Sequence, residues 1–118
     1  MQTFRFLDFP VYKDSKKFYR MVVGVTEKFS KTHNDLVRQL IRAVLSVSLN
    51  IAEGSAKKSD KDFNRYIENA LGSINESVAA LDIAYESSLI SLDCFKFLKQ
   101  SAEQIAKQLG GLSKKLKG

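Results

Sequence analysis

The chain has 118 residues, enough for one domain with a substantial hydrophobic core. Its 44% hydrophobic and 27% charged residues exclude a disordered chain, and one proline with six glycines argues against a turn-dense, many-stranded fold. The single Cys94 rules out a disulfide framework and a multi-cysteine zinc site, the single His33 argues against histidine chemistry, and the net charge of +6 favours polyanionic partners.

Taken in chain order, the pattern predicts four helices. In the first, about residues 10–30, Val11, Ser15, Phe18, Val22, Val25 and Phe29 recur in steps of four and three, and Pro10 suits a first helical position. Lys31 to Asn34 interrupt the pattern, with Asn34 the expected cap of the second helix, about 35–54. That helix carries Leu36, Leu40, Val44, Val47 and Ile51, and Val37, Ile41, Leu45 and Ala52 widen the stripe, so it should touch neighbours on more than one side. Gly54 is the expected left-handed terminator, followed by a connection from Ser55 to Lys58.

Ser59 with Asp62 reads as the cap of a third helix, about 60–89, whose seam is Phe63, Ile67, Ala70, Ile74, Ser77, Leu81, Ala84 and Ser88. Ser91 and Asp93 start a fourth, about 92–116, with Phe95, Leu98, Ala102, Ile105, Leu109, Leu112 and Leu116; Gly110 and Gly111 should let its end fray. The expected architecture is an all-α, antiparallel up-down-up-down four-helix bundle forming a single domain over 1–118. The longest uncharged helical run, Ala43 to Ala52, is about half a membrane span, and the mixed aromatic and charged start does not read as a signal peptide. The expected partner is therefore no membrane, and the expected setting is the cytoplasm.

Basic residues cluster. Lys13, Lys16, Lys17 and Arg20 lie on the first helix, and Lys57, Lys58, Lys61 and Arg65 surround the second turn. The tail adds Lys114, Lys115 and Lys117, whereas Tyr66 to Phe95 holds only acidic charges, among them Glu68, Glu76, Asp82, Glu86 and Asp93. Two readings of the acidic stretch stay open: neutralisation by Lys96 and Lys99 across the third turn, or a face that meets the basic face of another copy.

Polar residues interrupt the apolar stripes. With a turn near residue 57, the second and third helices should pair Arg42 with Gly72 and Ser73, and Arg38 with Glu76. Gly72 would permit close backbone approach, Arg38 or Arg42 would answer Glu76, and Asn50 and Glu53 would accept N–H groups of the Gly54–Lys58 loop. The alternative, a functional polar site with Glu53 and Glu76 as metal ligands, fails on ligand count, since no Glu-x-x-His pair exists. No Gly-rich phosphate loop, nucleophile elbow or H-x-E zinc pattern occurs, so no catalytic residue, cofactor or metal is assigned and the chain reads as a non-enzyme. Tyr12, Tyr19, Tyr66 and Tyr85 have the chemistry to stack on bases, but their helical spacing favours the edge of the core.

Gln39-Leu40-Ile41-Arg42-Ala43, Ser46 through Gly54, and Ala70-Leu71-Gly72-Ser73 with Glu76 resemble the four-helix-bundle proteins encoded in 23S ribosomal RNA intervening sequences. Phe6-Leu7-Asp8 before Val11-Tyr12, and Phe63, fit the same pattern. The resemblance implies a bacterial bundle assembling as a ring, a homopentamer, with a basic surface for RNA or DNA. It also extends to accessory proteins of diversity-generating retroelements, which implies a reverse transcriptase as the alternative partner and a protein–protein adaptor as the alternative role. Arg42, Asn50, Glu53, Gly54, Gly72, Ser73 and Glu76 form the structural signature, and Lys57 matches a usually basic position. Ile41 and Leu71 stand where the family often has arginine.

Overall fold

Local sequence dictates where the helices begin. In a computed structural model describing residues 3–118, α1 spans Pro10–Thr26, α2 Asn34–Ser55, α3 Asp60–Glu86 and α4 Leu92–Lys117. Short 3-10 turns at Arg5–Asp8 and Lys31–His33 precede α1 and α2. Pro10 opens α1, and the Ser59 and Ser91 hydroxyls accept the Asp62 and Cys94 N–H groups, satisfying donors that a first turn leaves unpaired. Asn34 does not cap α2. It is already helical, and the preceding His33 makes no side-chain cap bond.

Three ends differ from expectation, each for a local reason. α1 stops at Thr26 instead of about residue 30. The Thr26 hydroxyl turns back to the Val23 carbonyl, and the Lys28 and Phe29 N–H groups reach only three residues back, closing tight turns. α3 stops at Glu86, so Ser88 leaves the seam. Ser88 has φ 62°, its N–H bonds the Tyr85 carbonyl and the Leu89 N–H bonds the Ala84 carbonyl, a Schellman arrangement made without glycine. α4 runs through Gly110 and Gly111 to Lys117, because Leu109 and Ser113 are buried and Leu112 and Leu116 pack on the core.

Each helix packs on two neighbours, α1 on α2 and α4, and α3 on α2 and α4, so α1 and α3 lie diagonally. Cross-helix contacts give the antiparallel order: Ser15 of α1 meets Ser48 of α2, Ser46 of α2 meets Ser73 of α3, Tyr85 of α3 stacks on Phe95 of α4, and Gln108 of α4 reaches Asp14 of α1. This up-down-up-down bundle is a rod of 45 × 22 × 20 Å. Its core holds Phe18 and Val22 from α1, Leu40, Val44, Val47 and Ile51 from α2, Ile67 and Leu81 from α3, and Leu98, Ile105 and Leu109 from α4. α2 has the predicted two-sided burial, yet Leu45 and Leu49 point outward, 40% and 55% exposed.

Gly54 does not act as a left-handed terminator. It is buried inside the last turn of α2, and a Cβ there would lie 2.7 Å from the Tyr66 Cβ and 2.9 Å from the Phe63 Cδ1. Only a missing side chain lets α3 come so close. Gly72, expected to serve close approach, is exposed and a Cβ on it would meet nothing within 4 Å. Replacing Gly54 with Ala should therefore lower stability by about 1–3 kcal/mol through overpacking. Gly72→Ala should raise it by about 0.5–1 kcal/mol through helix propensity. Urea unfolding of the two variants checks the contrast.

Candidate nucleic-acid interface

The close approach at Gly54 sets the register of the α2–α3 hairpin, shifting it by about one helical turn from the pairing expected from the loop midpoint. Ser46 faces Ser73, whose hydroxyl donates to the Ser46 oxygen at 2.9 Å. The Asn50 amide donates to the Ser46 hydroxyl and carbonyl, both at 2.9 Å, so it locks the crease between the helices and not the loop. Glu53 is exposed, with no side-chain hydrogen bond among the described residues. Arg38 pairs with Asp35 on its own helix, one turn back, and neither Arg38 nor Arg42 pairs with Glu76. All three side chains stay in water, where a carboxylate needs no ionic partner. Glu53 and Glu76 stand at heights on the hairpin about 15 Å apart, since Glu76 lies near Ala43 in this register. Among the described residues no three His, Cys, Asp or Glu side chains gather as a metal site.

The loop is held instead by Arg5, from the 3-10 turn before α1. Its Nε and Nη2 donate to the Ser55 carbonyl at 3.2 and 3.0 Å, and its guanidinium lies 5.8 Å from the Phe9 ring centre and 5.4 Å from that of Phe63. The carbonyl it satisfies belongs to the last residue of α2, one of the groups a helix end leaves without a partner. Fifty residues separate the pair, so helical periodicity carries no trace of the contact. The only local sign is a cation set among Phe4, Phe6 and Phe9.

That clamp presents the turn carrying Lys57 and Lys58. Lys58, Lys61 and Arg65 are exposed and Lys57 is half-buried, with the Lys57 Nζ 5.1 Å and the Arg65 Cζ 5.4 Å from the Tyr66 ring centre. Lys57, Lys58, Lys61 and Arg65 form no ion pair among the described residues, so their charge is not cancelled by direct contact. The end of α4 comes to the same end of the rod, where Lys117 lies 3.6 Å from Glu68. Asp60 and Asp62, in the first turn of α3, complement its dipole and dilute the basic field.

The second predicted group does not join this patch. Lys13, Lys17 and Arg20 are exposed and Lys16 half-buried on the outer side of α1, the helix diagonal to α3. Lys13 starts this stripe toward the end of the rod that carries Lys57 and Arg20 closes it near the middle, and the stripe faces the other side, because Ser15 turns toward α2 and Asp14 toward α4. Asp82 and Glu86 form no ion pair with Lys96 or Lys99 among the described residues. Ile41 and Leu71 are half-buried, and Leu71 packs against the core.

The sequence matches the family model described as 23S rRNA-intervening sequence protein over residues 7–111. The chain belongs to this family. The match takes in the Arg5 clamp's target Ser55, the hairpin crease and the whole basic turn. A crystal structure of a protein of unknown function from the S23 ribosomal protein family of Bacteroides thetaiotaomicron shares the fold, with a TM-score of 0.79 at 22% identity. The alignment covers 88% of this chain and 98% of the Bacteroides protein. No functionally curated protein matches the sequence. No helix among the described residues is long and apolar enough to cross a membrane.

Arg5→Ala should cost about 2 kcal/mol in urea unfolding, because it removes hydrogen bonds from a charged donor. It should also speed hydrogen exchange at the amides of Ala56 and Lys57, which close the end of α2. Arg5→Lys should recover only part of the loss, since an ammonium lacks the planar fork that bonds and stacks together.

Proposed function

We propose that this member of the 23S rRNA-intervening sequence protein family is a non-enzymatic bundle that binds nucleic acid, RNA or DNA, through the turn between α2 and α3. The observation carrying the proposal is the set of Lys57, Lys58, Lys61 and Arg65, fixed at one end of the rod and free of ion pairs among the described residues. Phosphate contacts supply most of the affinity, and base identity contributes little. Lys13, Lys16, Lys17 and Arg20 supply a second, weaker stripe on the far side of the rod, running from that end toward the middle and suited to a strand that passes over the tip.

Self-association belongs to the same reading. Leu45 and Leu49 on α2 and Ile83 on α3, 53% exposed, leave apolar surface on the outward faces of the two helices. A homopentameric ring would cover it and repeat the basic turn around the assembly, multiplying contacts to one nucleic acid. The same apolar surface favours a second role, as a protein–protein adaptor such as an accessory subunit for a reverse transcriptase.

Changing Lys57 and Lys58 together to Glu should weaken RNA binding and lower the slope of log affinity against log salt by at least about 1.4 for a single strand. Fluorescence anisotropy between 50 and 200 mM salt reads both quantities. Wild-type binding that does not change across that range would overturn the electrostatic mechanism. Light scattering should return the mass of a pentamer of the 13.3 kDa chain, and Leu49→Glu should shift it toward the monomer.

A further inference from the structure

The four tyrosines share helical spacing in the sequence, but the fold treats them differently. Tyr85 is stacked on Phe95 with ring centres 5.6 Å apart, and Tyr19 packs half-buried against the core. Tyr12 lies 4.9 Å from the Lys16 Nζ, but the Phe6 ring also meets it edge to face at 4.9 Å. Tyr66 alone among them has cations from two elements beside its ring, Lys57 from the turn and Arg65 from α3, and it has no aromatic partner among the described residues.

The base of this side chain is fixed. The Tyr66 Cβ sits against Gly54, where the last turn of α2 packs tightly on α3, so the ring leaves a rigid point and remains half-exposed beyond it. Lys57 and Arg65 make no ion pair or side-chain hydrogen bond among the described residues, which leaves the ring as the partner each one has. An exposed cation–π contact is weak, and a phosphate is a far stronger partner for either cation. A phosphodiester arriving at this turn would draw Lys57 and Arg65 off the ring and leave an aromatic face free among bound phosphates. Base stacking on such a face is indifferent to sequence but needs an unpaired base. In a duplex every base face is already occupied by its neighbours in the stack.

We propose that Tyr66, flanked by Lys57 and Arg65, is a base-stacking residue, and that the α2–α3 turn therefore takes single-stranded nucleic acid in preference to duplex. This rests on the nucleic-acid reading above and adds the class of ligand and the residue that selects it.

The test compares a labelled single-stranded RNA oligonucleotide with the duplex formed by pairing it to its complement, at one salt concentration, using the full chain. Wild-type protein should bind the single strand more tightly. Tyr66→Leu should weaken single-strand binding by about 5- to 150-fold, leave duplex binding and the salt slope unchanged, and Tyr66→Phe should restore it. Because the chain has no tryptophan, Tyr66→Trp places a single indole at the site. Its emission should quench on adding the single strand and stay constant with duplex. Equal single-strand binding by Tyr66→Leu and wild type, with the Lys57/Lys58 double variant still impaired, would overturn the stacking role while sparing the basic turn. Wild-type affinity in the double variant would remove the nucleic-acid reading and the stacking role together. Equal quenching of the indole by both oligonucleotides would overturn the single-strand preference.

Discussion

The arrangement of the whole basic end depends on how closely α2 can approach α3 at Gly54. With hydrogen in place of a side chain, the last turn of α2 settles against Phe63 and Tyr66, and that contact sets the hairpin's register. The Ser46–Ser73 hydrogen bond, the Asn50 bonds to Ser46 and the outward faces of Arg42 and Glu76 all follow from it. A shift of one residue would rotate a core position by about 100° and leave Ser46 without its partners. Interiors packed to crystal density do not absorb such a change, so one absent methyl group governs a contact network several turns long.

Arg5 adds the second constraint. A turn joining two long helices ends on carbonyls with no helical partner, and water is their usual solution. Here a guanidinium from the opposite end of the sequence satisfies the Ser55 carbonyl while its faces rest near Phe9 and Phe63. The basic turn is thus presented from a scaffold tied on two sides, by Gly54 below and by the N-terminal segment above.

Family membership adds meaning to some residues and withholds it from others. The signature residues all lie in the α2–α3 hairpin, and the structure gives three of them local tasks: Gly54 close approach, Ser73 and Asn50 the crease. Arg42, Glu53, Gly72 and Glu76 line the exposed side of that hairpin and do no work inside the bundle. Leu45, Leu49 and Ile83 are exposed as well and likewise lie outside the core.

The amino-acid sequence alone determined the four helices, their order and most of the core. These are consequences of short-range physics: a 3.6-residue period places Leu40, Val44, Val47 and Ile51 on one side, and a serine hydroxyl caps a helix wherever it precedes one, as Ser59 and Ser91 do. It also placed Lys57, Lys58, Lys61 and Arg65 together, because they are neighbours in the chain. Tertiary structure decided which glycine admits a neighbouring helix, which arginine holds the turn, which tyrosine stands between cations, and that the α1 lysines face away from the others. Those outcomes turn on backbone separations of a few tenths of an ångström and on contacts between residues up to 94 positions apart, and neither leaves a periodic trace along the chain.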